Sequence, residues 1–135
     1  MCGRLHVCAG DLTELLQEFA ELIHPGPDNL NAAPTEDIAV LVADAKGVVQ
    51  WRSMRWWLTP SWARQPSTRY SMFNAKSETA ATLPSFRQAY KRQRCVVPVS
   101  GFYEWARRQG HKQAYFLRSV ENTGLLLAGL WDRWQ

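Results

Sequence analysis

From residue 95 to residue 134 the chain reads as three apolar, β-patterned runs, CVVPVSGFYEW, QAYFLRSV and LLLAGLWDRW, separated only by the turn-prone stretches ARRQGHK and ENTG. Connections this short join antiparallel strands and leave no room for the crossover that parallel strands need. The same grammar recurs upstream, where IAVLVAD and VVQWRSMRWWL flank the turn AKG. A chain made mostly of such pairs is expected to be a mainly antiparallel α+β domain, either an open sheet or a partial barrel with a few short helices.

Two helices are predicted. In DLTELLQEFAELI the apolar positions 12, 15, 16, 19, 20 and 23 recur at helical spacing, with Asp11 and Glu14 placed as a capping box. PSFRQAYKRQ is expected to form a second, short helix capped by Ser85. HPGPDNLNAAPT should break regular structure, and TPSWARQPSTR should form a loop. No repeat, low-complexity run or linker divides the chain, so its 135 residues, 46% hydrophobic, are read as one domain with a buried core.

Composition also narrows the chemistry. The three cysteines (Cys2, Cys8, Cys95) lack CxxC spacing and the three histidines (His6, His24, His111) are scattered. Neither a disulfide framework nor a metal-ligand signature results, so no metal and no cofactor is expected. A reducing, cytoplasmic setting is the default, with nucleoid association if the source is bacterial. No apolar run approaches a membrane span, and Asp11 and Glu14 fall where a signal peptide needs an apolar core. No membrane partner is expected.

The net charge of +4 hides an asymmetry. Residues 1–50 carry a balance of −6 and residues 51–118 a balance of +11. Most of the aromatic residues lie in the basic block, and cations with aromatic faces suit single-stranded nucleic acid. Against this, many of those aromatics must form core, and cations alternating with apolar residues also describe the wet face of a strand.

The chain begins MCGRLHV. Removal of Met1 would leave Cys2 with an α-amine of pKa about 7.7–8.0 and a thiol near 8.5 on one residue. Such a 1,2-aminothiol condenses with an aldehyde to an imine, and the sulfur then closes a five-membered thiazolidine. Read alone, Cys2 is as compatible with a small apolar residue that happens to follow Met1. Glu104 in GFYEW is the only acid between Glu78 and Glu121 and sits among aromatics. A carboxylate so placed suits proton transfer near neutrality, or else pairs with a surface arginine. Asn74 in MFNAKSET either orients an amine or a sugar hydroxyl, or serves the geometry of a turn.

Taken in order, MCGR, NAAPT (31–35), PSWA (60–63), NAKSET (74–79), PSFR (84–87), GFYEW (101–105) and AGLWDRW resemble the SOS-response associated peptidase (SRAP) family, also called the abasic-site processing proteins. The resemblance covers essentially all 135 residues. It implies a SRAP-like fold and a sensor of abasic sites in single-stranded DNA that crosslinks to the lesion through Cys2 as a thiazolidine. Carried over, Cys2 is the nucleophile, Asn74 positions the reacting groups and Glu104 moves protons. Lys76 and Arg87 are phosphate candidates, Gly3 and Arg4 lie beside the lesion, and Pro34 and Trp62 line the groove. The partner is abasic single-stranded DNA, and the protein is expected to act as a monomer.

Two departures from the family pattern stand out. Lys76 replaces a common arginine, which gives up bidentate phosphate contact, and Trp57 stands where glycine is more frequent. The family motif also continues to a histidine in an H.RMP-like stretch that has no counterpart here, so the domain is expected to be incomplete at its C-terminal end. His111 is not a substitute. The competing readings are a cysteine peptidase or amidohydrolase using Cys2, and a noncovalent single-strand binder.

Overall fold

The computed structural model describes residues 2–135. Its elements run β1 (Arg4–Val7), a 3₁₀ turn (Ala9–Leu12), α1 (Thr13–Ala20), β2 (Asn29–Ala32), β3 (Asp37–Ala43), β4 (Val49–Arg55), α2 (Ser77–Ala80), α3 (Arg87–Arg92), β5 (Arg94–Val99), β6 (Gly101–Arg108), β7 (His111–Arg118) and β8 (Leu125–Leu130). The strands form two four-stranded sheets, ordered β2-β1-β6-β7 and β4-β3-β5-β8, with every pairing antiparallel. The fold is the expected antiparallel α+β architecture, as two sheets and not a closed barrel.

One apolar cluster joins the sheets: Leu5, Val7 and Ala32 from the first, Leu41 and Val99 from the second, with Leu12 and Leu16 from the 3₁₀ turn and α1. Leu12, Leu16 and Val99 are fully buried. Cys2 is half-buried against this cluster. The N-terminal residues are thus anchored by the core, and β1 lies between β2 and β6.

Several sequence expectations need correction. CVVPVSGFYEW is two strands: β5 ends at Val99, β6 begins at Gly101, and they belong to different sheets. Ser100 makes the switch. Its N–H donates to the His6 carbonyl at 2.8 Å, and its Oγ accepts the Cys8 N–H at 2.9 Å. At Gly101 a Cβ would lie 2.5 Å from the Leu117 carbonyl oxygen and from the Phe116 ring, so only glycine fits without displacing β7. β2 lies within the stretch expected to be irregular, where it pairs with β1.

The capping box is not formed; neither the 3₁₀ turn nor α1 has a side-chain cap from its own N-cap residue. Asp28 takes that role from a distance, accepting the Ala9 N–H at 2.7 Å. α1 stops at Ala20 because Glu21 turns left-handed (φ 51°) and donates its N–H to Gln17 at 3.1 Å, ending the apolar stripe before Ile23. Ser85 does not cap α3. The N–H groups of Phe86 and Arg87 both donate to Leu83, so a preceding turn feeds that helix.

Candidate functional site

Asn74 meets residue 2 across the fold. Its Nδ2 donates to the Cys2 carbonyl oxygen at 2.6 Å, fixing the backbone from which the thiol and the residue-2 nitrogen project. The loop bearing Asn74 is held by two tryptophans. Trp56 Nε1 donates to the Phe73 carbonyl at 2.7 Å, and the Trp57 ring packs against Phe73 with centroids 5.4 Å apart. Trp57 Nε1 also donates to the Ser67 carbonyl at 3.1 Å, and Leu58 N–H donates to Met72 at 3.0 Å. Trp57, a departure at the sequence level, is therefore a clamp on the loop that presents Asn74.

Glu104 lies on β6, where its charge acts on Cys2. Burial pushes the Cys2 thiol above its ordinary range, and the Glu104 carboxylate pushes it further the same way. A thiol held in its neutral form is the reverse of the depressed-pKa cysteine of a thiolate nucleophile. Cys2, Asn74 and Glu104 are brought together by three separate segments, β1's approach, the 59–76 loop and β6. Met1, whose removal the aminothiol chemistry needs, lies outside the described residues.

Lys76 is the N-cap residue of α2; its carbonyl accepts the Ala80 N–H at 2.9 Å while its side chain is exposed. With Asn74 it lines a cleft of about 660 Å³ completed by Ser71, Phe73, Thr79, Leu83 and Phe86. Trp62, 62% exposed, is tied to the wall of this cleft through Nε1 to the Pro84 carbonyl at 3.4 Å, and exposed Arg87 opens α3 just beyond. Pro34 sits in the β2–β3 turn, half-buried. A separate cavity of about 460 Å³ lies between the sheets beside His24 and Trp51 and holds none of these residues.

Arg4 donates to Asn31 Oδ1 at 3.1 Å. The register places Arg4 opposite Tyr103 and His6 opposite Gly101, so these residues share one sheet face with Trp105 and with Phe116. On that face His6 Nδ1 and Tyr103 Oη are 3.0 Å apart, and Tyr103 donates to the Leu30 carbonyl at 3.1 Å. Trp105, 45% exposed, belongs to GFYEW, but the motif assigns it no role of its own. A Cβ on Gly3 would be 3.9 Å from its ring, so Trp105 adjoins the N-terminal segment on the face opposite Glu104. Strand alternation within GFYEW was the available signal. His111 lies at the far end of β7, opposite Arg108.

Among the described residues no group of three or more His, Cys, Asp or Glu side chains gathers as metal ligands, and no helix is long and apolar enough to cross a membrane. The family model described as SOS response associated peptidase (SRAP) matches residues 1–135. The chain is 29% identical to the abasic site processing protein YoqW of Bacillus subtilis, over 99% of this chain and 61% of that protein. It is 38% identical to the abasic site processing protein HMCES of Xenopus tropicalis over 62% of this chain and 31% of the relative. A crystal structure of a Bordetella bronchiseptica protein superposes with a TM-score of 0.82 at 24% identity, covering 99% of this chain and 65% of that one. The chain thus spans about three fifths of the length of the Bacillus relative.

Proposed function

Because the chain belongs to the SOS response associated peptidase family, we propose that it processes abasic sites in single-stranded DNA by covalent capture through Cys2. The observation that carries this reading is the Asn74 contact to the Cys2 carbonyl, which orients residue 2 beside Glu104. With Met1 removed, the α-amine of Cys2 attacks the aldehyde carbon of the ring-opened sugar. The carbinolamine loses water to give an imine, and Glu104 serves the proton transfers of both steps. The Cys2 sulfur then adds to the imine carbon and its proton passes to nitrogen, closing the thiazolidine; one water is released overall.

The raised thiol suits this order, since the amine reacts first and the thiol is needed only once the imine exists. Lys76 and Arg87 are proposed to hold phosphates, Arg4 and Gly3 to border the lesion, Pro34 and Trp62 to edge the groove, and Trp105 to stack on a base.

The test is denaturing electrophoresis after incubation with an abasic oligonucleotide. The wild-type chain should yield an adduct that survives detergent and heat. Cys2→Ser should yield one that heat releases and borohydride traps. A heat-stable Cys2→Ser adduct would sink the thiazolidine, and binding without any covalent product would leave only noncovalent recognition.

A further inference from the structure

The β6–β7 ribbon outruns the sheet that holds it. β1 pairs with β6 only from Gly101 to Tyr103, whereas β6 and β7 remain paired out to Arg108 and His111. Every residue of β7 is exposed, as is β6 from Trp105 onward. Two strands alone are marginal in water. Charge makes matters worse, because Arg107 faces Lys112 directly across the ribbon and Glu104 is the only acid in either strand. The tip is shaped by a two-residue turn in which Gln109 (φ 48°) and Gly110 (φ 80°) are both left-handed, the geometry whose twist matches a paired ribbon. A projecting arm whose charges oppose its own stability fits a ligand of opposite charge.

Alternation divides the arm into two faces. Trp105, Arg107 and Lys112 share one, and Glu104, Arg108 and His111 share the other. Trp105 adjoins Gly3. Two residues further along a strand, Arg107 projects about 7 Å beyond it on the same face. Resting on the reading of the Cys2 site given above, we infer that Arg107 and Lys112 grip the phosphate backbone of the single strand that flanks the lesion, and that Arg108, on the opposite face, does not.

The two arginines supply the test. Arg107→Gln and Arg108→Gln each remove one charge at neighbouring positions, so a diffuse field predicts equal effects and a contact predicts unequal ones. Binding of an undamaged single-stranded oligonucleotide is measured across a salt series. Arg107→Gln and Lys112→Gln should each lower the log–log slope by about 0.7, the value of one phosphate on a single strand, and Arg108→Gln should leave it unchanged. Arg107→Lys should keep the wild-type slope, which a merely damaged fold would not. Equal losses at positions 107 and 108, or no loss at either, would overturn the contact. Crosslinking of the wild-type chain to an abasic oligonucleotide is scored separately. No crosslink together with a slope change specific to position 107 would reject the capture chemistry and leave the backbone contact standing.

Discussion

At the scale of single residues, the proposed site sets one carboxylate beside a thiol already raised by burial. Burial first and the Glu104 carboxylate second raise the Cys2 thiol, so Glu104→Gln should lower the pH midpoint for Cys2 alkylation by iodoacetamide in part, read peptide by peptide to separate it from Cys8 and Cys95. The same substitution should slow adduct formation by about 10²–10⁴, the worth of one general acid/base group, with little loss of affinity for an undamaged strand. An unshifted alkylation profile would mean that the charge does not reach the sulfur. Cys2, Asn74 and Glu104 could be nominated from MCGR, NAKSET and GFYEW. What the sequence could not disclose is that Asn74 binds the carbonyl of residue 2, because that bond closes over 72 positions. Trp105 follows Glu104 in the same strand, so alternation alone turns it to the opposite face; what the sequence does not carry is that this face meets Gly3.

At the scale of elements, the informative error concerns CVVPVSGFYEW. Its apolar continuity reads as one strand, and nothing local marks the break. The break is made by bonds from Ser100 to His6 and Cys8, more than ninety positions upstream, and by the close approach of β7 to Gly101. Gly101→Ala should therefore force the Phe116 ring and the Leu117 carbonyl away, at about 1–3 kcal/mol of overpacking. Urea unfolding measures it, and an unchanged midpoint would show that β7 moves aside freely. α1 and the paired strands β3 and β4 were legible because their apolar spacing is local. The stop at Glu21 and the cap from Asp28 were not, since one is a backbone conformation and the other a contact made after the chain returns.

At the scale of the whole molecule, stability and assembly follow from how distant segments meet. His24 is buried, and its Nδ1 accepts the Gly26 N–H at 2.9 Å, which keeps that nitrogen unprotonated. Burial lowers its pKa, and the nearby Asp28 only partly opposes the shift. The folded state thus resists a proton that the unfolded chain accepts from about pH 6.5 downward. The stabilisation is fully present above that pH and is lost as the pH falls through the lower folded value. Urea midpoints should decline over this window, and His24→Gln should flatten the decline; parallel profiles would assign the acid sensitivity to other groups. The central place of β1 also bears on biosynthesis. Its partner β2 follows soon, but β6 begins 97 positions after β1, so at about 5–20 residues per second β1 waits roughly 5–20 s on the ribosome for its second neighbour. During that interval β1 lacks its β6 neighbour, and the proposed trimming of Met1 has its opportunity before β6 brings Glu104 beside Cys2.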